Sequence, residues 1–200
     1  MQAIDIIDKL DCFAEEFKGL DLHGKKITKA EFETCTFISC DFSETFFSSC
    51  RFIECSFINC NLSLMKLTGC KLSALSFDSC KMIGIDWTMA DWTSLLVIEP
   101  LKFNECILND SSFFGLDLEG MFIKESRARD VDFRRAVLKK SDFQETDFKG
   151  ALFEKTDLEE VNFTEAQNTN IDLRKNNLKG AIFSRYEALY LLESMGIELV

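Results

Sequence analysis

A large apolar side chain returns at every fifth position from Phe32 to Phe77: Phe32, Phe37, Phe42, Phe47, Phe52, Phe57, Leu62, Leu67, Leu72 and Phe77. Such a period matches neither the roughly 3.6 residues of an amphipathic helix nor the roughly 2 of a strand, so these residues cannot form one face of either element. A strict internal repeat predicts a stacked solenoid, in which no unit buries its core alone and each coil completes its neighbour. The register begins earlier, at Phe17, Leu22 and Ile27, and continues through Met82, Trp87, Trp92 and Val97. There it slips by one residue. The pattern resumes at Phe103, Leu108, Phe113, Leu118, Ile123, Ala128, Phe133, Leu138, Phe143, Phe148, Phe153, Leu158 and Phe163, with Asn168 as its lone polar member before Leu173, Leu178 and Phe183.

The chain divides accordingly into an N-terminal cap (1–16), a repeat body (17–183) with a frame slip near 97–102, and a C-terminal segment (184–200). The slip contains the only proline, Pro100, which removes a ladder donor and predicts a bulge or bent corner. Its apolar surroundings make Leu96, Ile98 and Pro100 a candidate contact site. In the last segment the pattern changes. Ser184 and Glu187 have the spacing of a capping box, Gly196 supplies a stop, and the residues between predict a short helix followed by a strand-like ending. One helix face can seal the solenoid. The surplus of apolar residues, Tyr186, Leu189, Leu192, Met195, Ile197 and Leu199, predicts a homodimer interface, since closed two-fold pairing is the commonest assembly.

Composition sharpens this picture. There are 20 Phe against 2 Trp and 2 Tyr, as expected of one repeated site that fits a phenyl ring and offers a hydroxyl no partner. The 9 cysteines suggest disulfides or zinc until they are placed in register. Cys35, Cys40, Cys50, Cys55, Cys60, Cys70, Cys80 and Cys106 all lie two places before a large apolar residue, where other repeats carry Ala, Ser or Thr. The position asks for a small side chain, and free Cys behaves as a small hydrophobe. We therefore expect reduced packing residues, with Cys12 alone outside the pattern and no metal or other cofactor.

The net charge of -11 argues against direct binding of nucleic acid, which needs a basic stripe, and is compatible with a protein that takes nucleic acid's place on a basic partner. No apolar run of spanning length occurs, which predicts a cytoplasmic protein without a membrane partner. Catalysis has no foothold: the single histidine, His23, lies at an outward turn position with no nucleophile or acid–base partners in sequence, and the glycines are scattered singly rather than gathered into a phosphate-cradling loop.

A small residue two before the centre, Asp or Asn one before it, and Leu or Phe at it resemble the pentapeptide-repeat signature. It stands here as Cys-Asn-Leu at 60–62, Ser-Asp-Phe at 141–143, Thr-Asp-Phe at 146–148, Thr-Asp-Leu at 156–158, Val-Asn-Phe at 161–163 and Ile-Asp-Leu at 171–173. The resemblance covers nearly the whole chain and implies an all-β solenoid, a right-handed quadrilateral β-helix with four pentapeptides per coil. The stretch Cys106 to Ser111 and the ending from Ser184 resemble the topoisomerase-protecting branch, which includes albicidin-immunity and Qnr-type quinolone-resistance proteins. That branch implies a rod-shaped dimer, joined through its C-terminal cap, that occupies the DNA-binding surface of DNA gyrase, a type II topoisomerase. The chain differs from the Qnr type in lacking long loop insertions, which favours immunity to a different topoisomerase poison.

If four pentapeptides make a coil, residues twenty apart stack, and about eight coils at about 4.8 Å give a rod of roughly 40 Å. Glu105, Glu125, Glu145 and Glu165 then form one outward column, and Asp110 and Asp130 stack on the neighbouring face. A ladder of carboxylates on a narrow rod resembles the regular charge of a duplex. The next face carries Arg134, Arg135 and Lys155, and the one after it Lys139 and Lys140, so any mimicry is one-sided. Asp132, Asp142 and Asp172, directly before centres, are expected to bond backbone amides at the coil corners. The rings of Phe46, Phe114 and Phe122 fall at outward registers. The alternative function is a structural or scaffolding solenoid whose acidic surface serves solubility alone.

Overall fold

Centres stack on centres one coil away, as Phe32 on Phe52 and Phe37 on Phe57. The computed structural model describes residues 11–93 and 100–197, and the chain winds as a β-solenoid of about eight turns with about 20 residues per coil and one short C-terminal helix. The first wall stacks Asp11–Phe13, Glu31–Glu33, Arg51–Ile53 and Lys71–Ser73 in parallel. The second is the longest, running from Glu16–Lys18 through Thr36–Ile38, Ser56–Ile58, Ser76–Asp78 and Lys102–Asn104 to Phe122–Lys124. The third is held by single bridges, Asp21 to Asp41 to Asn61 to Lys81 to Ile107 to Arg127 to Asp147. The fourth stacks Lys26–Thr28, Phe46–Ser48 and Lys66–Thr68 and continues upward through Asp86, Ser112, Asp132 and Leu152.

The rings explain the phenylalanine excess. On the second wall Phe17, Phe37, Phe57, Phe77 and Phe103 stack with centroids 4.9–5.0 Å apart and planes within 15° of parallel. That separation is close to the rise between neighbouring strands, about 4.8 Å, so the backbone ladder itself sets a favourable offset-stacking distance. Phe143, on the same wall, is fully buried. The small position two before each centre also has a mechanism. Its side chain donates to the carbonyl of the centre one coil below: Thr45 to Leu22 at 2.7 Å, Ser111 to Met82 at 3.1 Å, Thr146 to Ile123 and Thr156 to Phe133 at 2.9 Å. Cysteine thiols at 35, 40, 50, 55, 60, 80 and 106 make the same contact at 3.3–3.6 Å. Where the residue is Thr, Ser or Cys the position thus adds a donor to its packing role; Ala30, Ala136 and Ala166 fill it by size alone.

All nine cysteines are free and buried, and among the described residues no group of three or more metal-capable side chains converges. Burial pushes the Cys55 thiol up to about 12. The neighbouring Cys106 thiol, together with burial, takes Cys80 to about 12 as well. Thiolate is the reactive form. The Cys70 thiol draws Cys50 the other way, down to about 7, but every thiol is buried. A disulfide reagent at pH 8 is therefore expected to label no more than about one thiol in the native protein. All 9 should react once the chain is denatured. Rapid labelling of several native thiols would contradict this packing.

Four features depart from the sequence reading. Cys12 is not outside the pattern: it is the centre of the lowest described coil, paired in register with Phe32, so regular coil reaches into the segment assigned as a cap. The frame slip is larger than one residue. Phe77 pairs with Phe57 twenty residues before it but with Phe103 twenty-six after it, so one coil carries six extra residues. Val97, expected as a centre, and Leu96 and Ile98 of the candidate contact site lie outside the described residues. Pro100 is half-buried and lies close to Gly120. Before the insertion, the backbone turns through a single 3-10 turn at Trp87–Met89, and the half-buried Trp92 donates to the Trp87 carbonyl at 2.9 Å. Third, Asn168 is no core centre. It turns outward in left-handed conformation and donates to Asp147 at 2.8 Å, while Thr169 takes the buried place.

The fourth concerns Glu187. Its carboxylate accepts from the Thr169 amide at 3.3 Å and hydroxyl at 3.2 Å, tying the helix Arg185–Ser194 to the last coil rather than closing a capping box with Ser184. Leu191 seals the stack, and Gly196 ends the helix at φ +79°. There only a residue without Cβ is unstrained.

Candidate partner-binding surface

Outward positions come in vertical columns, because each wall repeats its register from coil to coil. In this column the position two after a centre is left-handed: φ is 52° at Glu105, 49° at Glu125, 55° at Glu145 and 58° at Glu165. In that conformation its amide points along the rod axis and bonds the next coil, Glu105 to Lys124, Glu125 to Gln144 and Glu145 to Thr164, at 3.0–3.2 Å. The four carboxylates therefore stand as one exposed column on the second wall. Below Glu105 the same column holds Ser79, Asn59, Ser39 and Gly19, and Ser79 donates to the Glu105 carboxylate at 3.2 Å. The charge is confined to the upper half of the rod.

Asp110 and Asp130 occupy the equivalent turn on the third wall, at φ 59° and 56°, and the Asp130 carboxylate fills the space a Cβ on Gly150 would need. One column alone gives one charge per coil, or about one per 4.8 Å. Where the two columns run side by side, at Glu105 with Asp110 and Glu125 with Asp130, the density doubles to about one per 2.4 Å, nearing the one per 1.7 Å of a duplex. Little on these columns neutralises them. The nearest cation, Lys124, is 3.8 Å from Glu125, which keeps 45 % of its side chain exposed.

The opposite, fourth wall carries the reverse sign. Arg135, Lys155 and Lys175 form its turn column, and the guanidiniums of Arg134 and Arg135 lie 5.7 and 5.6 Å from the ring centroid of Phe114. The outward ring of Phe46 lies 5.5 Å from the Lys26 ammonium, and Phe122 is half-buried. On the first wall the cations are matched: Lys139 with Asp157 and Glu159 at 3.2 and 3.3 Å, Lys140 with Glu119 at 2.7 Å. In the upper coils the unpaired acidic columns stand on these two adjacent walls, the second and third, while exposed Glu33 and Glu54 add acid to the first wall of the lower coils.

Acids directly before centres have the corner role expected of them. Asp132, Asp142 and Asp172 each accept the amide two residues on, at 3.0, 3.3 and 2.9 Å. A bidentate bond from Arg134, at 2.8 and 2.9 Å, holds the Asp132 carboxyl below the usual carboxylate range. This corner motif also explains a grouping the sequence did not announce. His23 Nδ1 lies 2.9 Å from the Ser43 hydroxyl, which lies 2.6 Å from Asp41. The serine proton, however, goes to the aspartate, and the same 2.6 Å bond recurs at Thr88 to Asp86, Thr93 to Asp91 and Thr164 to Asn162. Ser43 is thus a corner hydroxyl, not a nucleophile activated by an imidazole.

At the C-terminal end, Tyr186 is 79 % exposed, and Leu189, Met195 and Ile197 are exposed with it. Leu192 is half-buried. Tyr190 and Ile182, which the sequence reading did not single out, are also exposed. Leu199 lies outside the described residues. Among the described residues no helix is long and apolar enough to cross a membrane.

The fold has solved counterparts. Full-length QnrB1, described as a plasmid-mediated fluoroquinolone resistance protein, is similar with a TM-score of 0.75 and 19 % identity over 94 % of this chain and 100 % of that one. A trypsin-treated QnrB1 variant matches with a TM-score of 0.72 and 20 % identity over 95 % and 91 %. At that identity the likeness is one of fold. No curated protein matches the chain. The family model for the pentapeptide repeat region matches residues 30–100 and 97–163, well over half of the sequence, and the chain belongs to the pentapeptide-repeat family.

Proposed function

We propose that the protein is a non-enzymatic DNA mimic that binds DNA gyrase or a related type II topoisomerase and confers immunity to a poison of that enzyme, albicidin-like or quinolone-like. The observation that carries this reading is the four-rung column of Glu105, Glu125, Glu145 and Glu165, exposed on one wall and reinforced by Asp110 and Asp130. It offers a basic DNA-binding groove a regular row of negative charge on a slim, rigid support. The fold likeness to QnrB1, itself a fluoroquinolone resistance protein, supports the choice of partner. Since gyrase acts on the chromosome, the protein works in the cytoplasm. The test is a supercoiling assay with purified gyrase, with and without a panel of poisons. Added protein should restore supercoiling in the presence of at least one poison, and its binding to gyrase should weaken as salt rises, because the contact is electrostatic. Binding to some other protein, with gyrase ignored at all salt concentrations, would leave a scaffolding role and sink this one.

The second element of the proposal is a homodimer joined through Tyr186, Leu189, Leu192, Met195 and Ile197. Replacing Tyr186 and Leu189 together by aspartate places two charges in a patch that must desolvate on pairing. Sedimentation should then show a monomer where the parent sediments as a dimer, with unchanged far-ultraviolet circular dichroism. A parent that sediments as a monomer at 50 μM, about a hundredfold above a sub-micromolar Kd, would refute the interface.

A further inference from the structure

Leu64 breaks two rules at once. It is the only bulky apolar side chain among the described residues held at left-handed φ, +60°, a region that is strained for any residue with a branched side chain. It is also 51 % exposed. Its counterparts in the same turn column are Gly24, Glu44, Gly84, Asp110, Asp130 and Gly150. Backbone strain combined with exposed apolar surface is costly twice over, and such costs gather at functional positions. The coil above makes room for this side chain: a Cβ on Gly84 would come within 2.8 Å of Leu64 Cδ2. Beside it the 3-10 turn at Trp87–Met89 brings up Met89, 49 % exposed.

Leu64, Met65 and Met89 line a concavity of about 640 Å³ on the corner between the third and fourth walls. That volume lies within the range of small-molecule sites, about 300–1,000 Å³. Thioether and isobutyl groups make an adaptable apolar floor. The charged lining consists of Glu44, Asp86 and Lys66, two negative charges and one positive, net -1. Asp86 gives one oxygen to Thr88. The whole rod adds a net charge of -11, whose field draws cations toward a cleft and repels anions.

We infer that this hollow is a binding site for a small amphiphilic amine, its apolar body on Leu64, Met65 and Met89 and its ammonium between Glu44 and Asp86. The inference is independent of the gyrase reading, since the hollow lies below the acid column and shares no residue with it. The site is tested on the full-length protein with 2-naphthylmethylamine, followed by ligand fluorescence anisotropy. 2-Naphthylacetate and 2-naphthylmethanol serve as the anionic and neutral counterparts. The amine should saturate and bind at least about tenfold more tightly than the acid, with the alcohol between them. Leu64→Asn suits a left-handed turn better than leucine does, so it should melt at the same or a higher temperature while weakening amine binding at least about tenfold. That pairing separates a lost site from a lost fold. Glu44→Gln should narrow the preference for amine over alcohol about threefold. The site is refuted if no probe saturates, if acid and amine bind alike, or if Leu64→Asn binds the amine as the parent does.

Discussion

Reversing two rungs of the acid column, Glu125→Lys with Glu145→Lys, is expected to abolish protection of gyrase and to weaken its binding about a hundredfold at roughly 0.1 M salt, equivalent to about 2.7 kcal/mol. Each substitution changes the charge by two, so the rod goes from -11 to -7. The global change is modest; the local one is not, because two cations then stand in the middle of the row proposed to face a basic groove, where like charges placed against each other cost several kcal/mol. The fold should be indifferent. Both side chains are exposed, and lysine already occupies the same left-handed turn at Lys29, Lys140 and Lys155, with φ of 56–58°. A control with equal change in net charge is Glu33→Lys with Glu54→Lys, exposed residues of the first wall in the lower coils. It should keep protection to within about threefold once the loss of long-range steering is allowed for. If the column double variant protects as well as the parent does, mimicry fails even if the protein proves to bind gyrase. If the control loses as much, the contact depends on net charge and not on the column.

The column was legible in the sequence because period five and coil length together fix which residues are vertical neighbours. What the sequence concealed follows from the same arithmetic. An insertion of six in a repeat of five shows only its remainder, so twenty-six residues between Phe77 and Phe103 read as a slip of one. Cys12 was missed as a centre because the criterion was size, and the lowest described coil tolerates a small residue beneath Phe32. Asn168 followed the period faithfully, yet the desolvation of an amide outweighs the register, and the chain turns it out in favour of Thr169. That exchange supplies the two donors that hold Glu187, a partner eighteen residues back that no local capping rule detects. Leu64 was invisible for another reason. The turn position accepts Gly, Ser, Glu, Lys and Asp alike, so its strain appears only once φ is known. The proposed dimer, gyrase contact and poison all rest on surfaces, which periodicity does not constrain.

Phe37→Ala is expected to destabilise the lower coils by about 3–5 kcal/mol, the range for a core phenylalanine. The ring is fully buried and has four aromatic neighbours: Phe17 and Phe57 stacked at 5.0 and 4.9 Å, Phe32 and Phe42 edge-on at 5.6 and 5.3 Å. Truncation opens a cavity that this scaffold is poorly able to close, since the ladder of backbone bonds on either side holds the coils at fixed separation. Phe37→Leu keeps most of the volume and should cost only about 1–2 kcal/mol. The loss should also be local. In a solenoid each coil contacts its neighbours alone, and stability is close to a sum of nearest-neighbour terms. Amide exchange should therefore accelerate first around Phe17, Phe37 and Phe57, while amides near Phe133 and Phe143 keep their protection. Two outcomes would show that stacked rings are filler in a fold held by its hydrogen-bond ladder: a cost below about 1.5 kcal/mol, the ordinary net range of one hydrogen bond, or uniform loss of protection along the whole rod. Behind the upper rungs of the acid column the rings meet edge-on instead, Phe143 against Phe163 at 5.5 Å and 67°, so the same truncation at Phe143 removes an edge contact and not a parallel stack.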